Sequence, residues 1–226
     1  MRIWEGDCLD FMREMEDGCV DLVLTDPPWF TPAMHYQSRV AWQRNYGDLS
    51  PLKVWWDVVS QELARITKAT GHALAFCSGD SLSAFYPAFY GRWSKMDTLV
   101  WDKCRPGLGA IWRGQHELII AARGEDARRK DDGKLRPDVL RYHATPPSDR
   151  EHPVEKPVAL LMDLIEATTD EGGLVLDPFV GSGTTLQAAD RLGRRWMGAE
   201  INGDYVQLAT ERIERAREQL RLPMEV

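Results

Sequence analysis

Hydrophobic residues fall into two patterns, and these alternate from one end of the chain to the other. Short runs rich in aliphatic and β-branched residues predict strands. Stretches in which apolar residues recur every three or four positions predict amphipathic helices. The predicted strands span residues 3–6, 20–25, 72–76, 98–101, 117–122, 174–177 and 195–200. The predicted helices span residues 9–15, 51–67, 80–90, 158–168, 186–192 and 205–220.

This alternation predicts an α/β fold with a doubly wound, mostly parallel sheet and helices on both of its faces. A length of 226 residues suits a single domain. Ligands of such sheets bind beyond the carboxyl ends of the strands. Polar residues that directly follow a strand are therefore the first candidates for a functional site, and two strand ends, at Asp177 and at Asp26, carry such residues together with an unusual turn.

The turn at Asp177 leads from a strand into a helix and has the sequence DPFVGSGT from Asp177 to Thr184. Its glycines allow a ligand to approach the backbone closely and accept positive φ angles. The turn does not fit a phosphate-binding P-loop, because no lysine precedes Thr184, and it lacks the third glycine of a dinucleotide fingerprint. For this segment taken alone, a tight turn without a ligand stays an alternative.

The turn at Asp26 follows the strand 20–25 and has the sequence Asp26-Pro27-Pro28-Trp29. Two prolines remove backbone donors and leave carbonyl oxygens as acceptors. Asp26 adds a carboxylate, and Trp29 adds a flat aromatic face. Acceptors beside a stacking surface suit the exocyclic amino group of a nucleobase. A proline-rich surface turn is the alternative interpretation of these four residues alone.

Composition narrows the class of protein only a little. No apolar run reaches transmembrane length and the first residues lack the layout of a secretory signal, so we expect a cytoplasmic protein without a membrane partner. The cysteines at 8, 19, 77 and 104 form no C-x-x-C pair, which gives no indication of a metal site or a disulfide framework. The net charge of -7 argues against non-specific coating of nucleic acid but is compatible with a local basic face.

The two turns together resemble the motifs of the β group of DNA adenine-N6 and cytosine-N4 methyltransferases, which use S-adenosylmethionine. The Asp26 turn resembles the catalytic motif and the Asp177 turn the cofactor loop, in the permuted order of that group. The segments 6–9, 101–103, 116–119 and 152–157 are also similar to family motifs. The resemblance implies a circularly permuted Rossmann-like methyltransferase fold with seven strands, in which the strand near Glu117 forms an antiparallel edge.

The resemblance also implies roles for individual residues. The catalytic residues would be Asp26, Pro27, Pro28 and Trp29: the Asp26 carboxylate and the Pro27 carbonyl hold the amine, and Trp29 receives the flipped base. The S-adenosylmethionine site would comprise Asp7, Cys8, Asp26, Lys156, Asp177, Pro178, Phe179, Gly181, Ser182, Gly183, Thr184 and Glu200. An acid at a strand end, such as Glu200, suits the two ribose hydroxyls.

Two irregular segments are expected to face the substrate. Residues 30–50 are polar and aromatic and follow the catalytic turn, which favours a substrate-side lid over a disordered loop. Residues 123–150 carry eight basic and six acidic side chains, and target recognition lies in this interval in the family. The DNA-contact candidates are therefore Arg128, Arg129, Lys130, Lys134, Arg136 and Arg141, with a solvated loop as the alternative. So short a segment predicts that a second copy of the chain, in a homodimer, helps to grip the duplex.

The target base follows from the first motif position. In the family an acid there accompanies adenine more often and a serine accompanies cytosine, so Asp26 favours methylation of adenine N6 in double-stranded DNA. Cytosine-N4 methylation, methylation of RNA adenine and a catalytically silent nucleic-acid-binding relative stay open. A cognate restriction endonuclease is a candidate partner, as in restriction–modification systems.

Overall fold

The computed structural model describes residues 1–28, 49–107, 111–127, 134, 136–146 and 155–221. Several sequence predictions fall outside these described residues: Trp29, the substrate-side loop 30–50 apart from its last two residues, and the DNA-contact candidates Arg128, Arg129 and Lys130.

Strands and helices alternate through the described residues, as predicted. Their order is β1 (Arg2–Glu5), α1 (Cys8–Arg13), β2 (Val20–Thr25), α2 (Ser50–Ile66), β3 (Thr67–Cys77), α3 (Leu82–Phe89), β4 (Lys95–Asp102), β5 (His116–Arg123), β6 (Val139–Arg141), α4 (Val158–Thr168), β7 (Leu174–Asp177), α5 (Thr184–Arg191), β8 (Arg195–Glu200) and α6 (Gly203–Arg221). Each predicted strand and helix is present. The short strand β6 is additional and lies in the polar interval 123–150, where no strand was predicted.

The strands form one mixed sheet of eight strands in the order β1-β8-β7-β2-β3-β5-β4-β6. The predicted pairing of the amino-terminal strand beside β8 and of β7 beside β2 is confirmed. Strand β5 is antiparallel to both of its neighbours, as expected for the strand at Glu117. Its predicted place at the edge is wrong, because β4 pairs on its far side and β6 pairs in turn with β4.

Both faces of the sheet are covered, which is the doubly wound arrangement. Along β2, Val23 faces a core built with α1, α2 and α3, in which the Trp56 and Phe85 rings stack at 4.5 Å between centroids. Leu22 and Leu24 face the opposite core, built with α4, α5 and α6. Because neighbouring strand residues point to opposite faces, β2, which is buried apart from half-buried Asp21, contributes to both cores.

The carboxyl ends of the parallel strands share one edge of the sheet, and the two motif turns lie there side by side. Val23 of β2 pairs with Leu176 of β7, so Asp26 and Asp177 leave adjacent strands at the same edge. None of the helices in the described residues is long and apolar enough to cross a membrane. The same part of the chain contains no cluster of three or more His, Cys, Asp or Glu side chains that could hold a metal ion.

Candidate active site

Asp177 joins the two turns. It ends β7, is 2% exposed, and its Oδ1 accepts hydrogen bonds from Thr25 Oγ1 at 2.7 Å and from the Phe179 backbone N–H at 3.1 Å. Burial raises the pKa of this carboxyl to about 6, and the negative charge of nearby Asp26 adds to the rise, while the hydrogen bonds oppose it. The last residue of β2 is thus fixed to the first residue of the glycine turn.

The glycine turn has two left-handed positions with different surroundings. Gly183 is the N-cap of α5 with φ 83°, and a Cβ there would lie 2.7 Å from Ala209 Cβ, so the missing side chain lets α6 pack against the start of α5. Gly181 has φ 51°, and a Cβ there would meet nothing within 4 Å. The backbone at Gly181 therefore borders open space.

Glu200 closes the other side of this space. It ends β8, and its two carboxylate oxygens accept the Gly181 and Asn202 backbone N–H groups at 2.8 and 2.9 Å. Each carboxylate oxygen has two lone pairs, so each can accept a further hydrogen bond from a ligand hydroxyl. The chemistry and position of this acid fit the ribose of an adenosine group.

The end of β1 lies beside Glu200. Glu5 pairs with Glu200, and the Gly6 N–H donates to the Glu200 carbonyl at 2.9 Å. The next residue, Asp7, caps α1 by accepting the Leu9 N–H at 2.8 Å. Cys8 is buried, and burial raises the pKa of its thiol to about 12. This thiol stays protonated at neutral pH and is not a nucleophile.

The Asp26 turn is held by a buried lysine. Lys156 is 6% exposed, and its Nζ lies 2.6 Å from Asp26 Oδ2 and 3.1 Å from Glu117 Oε2. Burial alone would lower the pKa of Lys156, but the two carboxylates raise it above its ordinary value. Lys156 is therefore a permanent cation at the predicted catalytic turn. Pro27 is buried and Pro28 half-buried.

Glu117 extends this contact into a row of alternating charges. Its Oε1 lies 2.7 Å from Lys103 Nζ, so its carboxylate binds two lysines. Burial opposes its charged form, yet Lys156 and Lys103 together lower the pKa of Glu117 below its usual range. Lys103 and Glu117 fall in segments similar to family motifs, but the sequence alone gives neither a place in the site. Their proximity could be inferred only from the pairing of β4 with β5 across the hairpin.

A second buried cation lies behind the glycine turn and was not predicted. Arg212 of α6 is 6% exposed, with Nη2 2.7 Å from Glu155 Oε2 and Nη1 3.1 Å from Thr184 Oγ1. Thr184 is in turn 3.3 Å from the Ser182 hydroxyl. In the sequence Arg212 is one of many charges on an amphipathic helix, which gives no signal that it is buried.

The structure separates the described DNA-contact candidates. Arg141 ends β6 at the same edge as Asp26, with a side chain that is 77% exposed and 3.6 Å from Asp102 Oδ2. Arg136 lies 3.6 Å from Asp163 of α4 and is largely covered, and Lys134 lies 3.8 Å from Glu166 of the same helix. The turns, the two buried cations and Arg141 share one edge of the sheet, whereas Arg136 and Lys134 lie against the outer side of α4.

The chain is similar to known proteins in both sequence and fold. A family described as DNA methylase matches residues 20–211. YubD of Escherichia coli (strain K12), whose name designates it a methylase, is 32% identical over 214 residues, which cover 94% of this chain and 89% of that protein. The type II methyltransferase M2.MboI of Moraxella bovis is 25% identical, over 93% of this chain and 86% of its own length. A solved structure of TTHA0409 from Thermus thermophilus, named a DNA modification methylase and complexed with S-adenosyl-L-methionine, has a similar fold. Its TM-score is 0.74 at 22% identity, over 95% of this chain and 93% of that one.

Proposed function

The chain belongs to the DNA methylase family of N6 and N4 methyltransferases, and on that premise we propose that it methylates the exocyclic N6 of an adenine flipped out of double-stranded DNA. The observation that carries the proposal is the contact of Asp26 with Lys156 at the carboxyl end of β2, beside the glycine turn that follows β7. An acceptor for an amine and a loop open to a ligand lie on adjacent strands.

The family's methyl donor is S-adenosylmethionine, which supplies a methyl group bound to a sulfonium sulfur. The residues around the open space at Gly181 fit it. We propose that Glu200 accepts the ribose hydroxyls, that Asp7 and the start of α1 border the adenosine, and that Asp177 and the turn through Thr184 line the remainder. Lys156 would act on this site through Asp26, since its ammonium is directed at the carboxylates. The remaining residues assigned to this site, Cys8, Pro178, Phe179, Ser182 and Gly183, stay predictions.

Asp26 and Pro27 have the role of orienting the amine. An exocyclic amine is a poor nucleophile, because its lone pair is delocalised into the ring. Hydrogen bonds from its N–H groups to the Asp26 carboxylate and the Pro27 carbonyl favour tetrahedral geometry and direct the lone pair towards the methyl group. The adjacent Lys156 ammonium favours the anionic, accepting form of Asp26. Pro28 fixes the turn, and Trp29 is proposed to stack on the flipped base.

The experiment that tests this function is methyl transfer from labelled S-adenosylmethionine to unmethylated duplex DNA, followed by digestion to nucleosides and mass identification. Label in N6-methyladenine supports the proposal. Label in N4-methylcytosine would keep the family and the site but reject the adenine assignment. If the protein binds the cofactor and labels RNA instead of DNA, an RNA methyltransferase is the better conclusion.

The proposed function also extends to the domain organisation and the partners of the protein. We propose one methyltransferase domain over residues 1–226, which the single eight-stranded sheet supports. We also propose that residues 30–50 lie on the substrate side. Residues 123–150 would contact DNA, chiefly through exposed Arg141. We further propose a homodimer on the duplex, and sedimentation as a monomer both free and on DNA would contradict it. A cognate restriction endonuclease and a cytoplasmic location stay predictions.

A further inference from the structure

The hairpin that joins β4 to β5 continues well beyond the strands. After the last strand pair, Asp102 with His116, the Lys103 N–H donates to the Gln115 carbonyl at 2.9 Å, and the Gly107 N–H donates to the Gly114 carbonyl at 2.8 Å. A Cβ at Gly107 would lie 2.8 Å from that same Gly114 oxygen, so the two limbs approach closely only because position 107 is glycine. Outside its tip at 108–110, which is not described, the hairpin continues beyond the strand ends, and two backbone hydrogen bonds join its limbs.

Side-chain contacts fix the base of this extension. Asp102 Oδ1 accepts the Cys104 backbone N–H and the Gln115 side-chain N–H, each at 2.9 Å. Cys104 has a left-handed φ of 60°, which costs a non-glycine residue free energy and persists only where neighbouring bonds hold it. Near the tip, Arg113 Nε donates to the Gly107 carbonyl at 2.7 Å. This bond holds the Arg113 side chain against the opposite limb of the hairpin.

The extension lies at the same edge of the sheet as the proposed catalytic turn and reaches further along the strand direction, with β3 and β5 between β4 and β2. Pairing across β3 and β5 places Thr25, the residue before Asp26, level with Thr98 of β4. Asp102 lies four residues further along β4, which is about 13 Å at the rise of a strand, and the hairpin continues beyond it. The base of the extension also contacts the turn through charges, since Lys103 binds Glu117, and Glu117 binds the lysine that holds Asp26.

The extension carries exposed apolar side chains next to basic residues. Ile111 is 85% exposed and Trp112 is 89% exposed. Residues 103–115 include Lys103, Arg105 and Arg113 and no acidic residue, within a chain of net charge -7. An exposed tryptophan beside arginines is the combination with which proteins stack on unpaired bases and contact the neighbouring phosphates.

We propose that this basic extension, residues 103–107 and 111–115, is a DNA-contact element, in which Trp112 stacks on bases next to the target and Arg105 contacts the phosphate backbone. The inference rests on the proposed function and adds to it a second contact surface, separate from the interval 123–150. The occupant is duplex DNA, because the surface is basic, adjoins the amine-binding turn and presents a large aromatic face. A symmetric contact of this surface with the same surface of a second copy would bring like charges together.

The test compares Trp112→Ala with Trp112→Phe and with Tyr90→Ala. Tyr90 is a matched control, since it is 76% exposed and follows α3 at the opposite edge of the sheet. The measurements are methyl transfer to unmethylated duplex DNA, anisotropy of a fluorescein-labelled duplex, and calorimetric binding of S-adenosylmethionine. Trp112→Ala should lose about tenfold to a hundredfold in transfer and in DNA affinity, with cofactor binding and melting temperature unchanged. In Trp112→Phe, methyl transfer and DNA affinity should stay within about threefold of wild type. In Tyr90→Ala, both should equal those of wild type.

Arg105→Gln tests the phosphate contact separately. Because each phosphate contact releases counterions, the slope of log affinity against log salt should become shallower by about one. An unchanged slope would overturn this part of the proposal.

The outcomes distinguish the two proposals. Wild-type activity and DNA affinity in Trp112→Ala would overturn the contact surface and leave the methyltransferase proposal intact. Wild-type protein that binds the cofactor but methylates no DNA would instead remove the proposed function. If Trp112→Ala converts a dimer to a monomer while DNA affinity is unchanged, the surface binds a second copy and the DNA contact is rejected.

Discussion

The ammonium nitrogen of Lys156 lies 2.6 Å from Oδ2 of Asp26, although the two residues are 130 positions apart in the chain. The lysine precedes α4, whereas the aspartate follows β2, so the fold itself creates the pair. Lys156 also contacts Glu117 at 3.1 Å. One buried cation therefore lies between two carboxylates at the proposed catalytic turn, and Lys103 supplies a second cation to Glu117.

Replacing Asp26 should strongly reduce methyl transfer while the protein stays folded. Asp26→Asn keeps the shape of the side chain but loses the negative charge that holds the amine, so we expect a loss on the order of a hundredfold or more in kcat. Calorimetric binding of S-adenosylmethionine should persist. Asp97→Asn is the control, because Asp97 is exposed on β4. Unaltered turnover in Asp26→Asn would reject the catalytic role given to Asp26.

Removing the shared cation should destabilise the protein strongly. Lys156→Met leaves Asp26 and Glu117 facing each other in a buried setting, and breaking a buried pair of this kind costs about 3–5 kcal/mol. Denaturant unfolding measures the loss. Lys95→Met removes an exposed lysine, paired with Asp97 at 3.6 Å, and should change the free energy of unfolding by less than about 0.5 kcal/mol. Equal effects of the two substitutions would contradict the role given to burial.

Stability should depend on pH through Asp177. Its pKa rises from 3.8 in the unfolded chain to about 6 in the folded protein, so the folded state binds this proton more tightly. The associated stabilisation is complete below pH 3.8 and is lost as pH rises through 6, a change of about 2–3 kcal/mol. Asp177→Asn has no such titration. Because other groups titrate alike in both proteins, the stability of the variant minus that of wild type should increase between about pH 4 and about pH 7. A difference that stays flat over that range would show that Asp177 has an ordinary pKa.

Arg212 should support the cofactor turn from behind. Arg212→Met leaves the buried Glu155 carboxylate without its 2.7 Å partner and removes the 3.1 Å bond to Thr184 Oγ1. We expect an unfolding free energy lower by about 3 kcal/mol and weaker binding of S-adenosylmethionine, with Arg212→Lys intermediate in both. Arg215→Met, on the exposed side of the same helix, should match wild type. If cofactor affinity is retained in Arg212→Met while stability falls, the arginine is structural only.

The elements and the two turns could be predicted from the sequence because each depends on local signals. Apolar periodicity marks strands and helices, and Gly181 and Gly183 mark a turn at the end of a strand. Strand β6 gave no such signal, since it has three residues in a polar interval and depends on pairing with β4. The place of β5 inside the sheet depends on that same pairing.

The charged contacts of the site could not be predicted, because they join residues distant in the chain. Glu117 and Arg212 carry no local mark of burial, and each acquires its role only when another element supplies the opposite charge. The role proposed for Trp112 could not be predicted for a different reason: the sequence does not show that this side chain is exposed, and only its exposure indicates the role.

The two glycines of the cofactor turn allow backbone strain to be separated from packing. Both have left-handed φ angles, so Gly181→Ala and Gly183→Ala should each lose about 1 kcal/mol of stability from strain. Only at position 183 does the new Cβ meet another group, Ala209 Cβ at 2.7 Å, and such overpacking adds about 1–3 kcal/mol. Gly183→Ala should therefore be the more destabilising in denaturant unfolding. Adding Ala209→Gly should recover only part of the difference in a double-mutant cycle, because the Ala209 Cα would still lie 2.9 Å from the new Cβ. Gly181→Ala, whose Cβ enters the open space, should reduce cofactor affinity more than stability. Equal unfolding free energies for the two single variants would show that α6 does not pack against the turn as the structure has it.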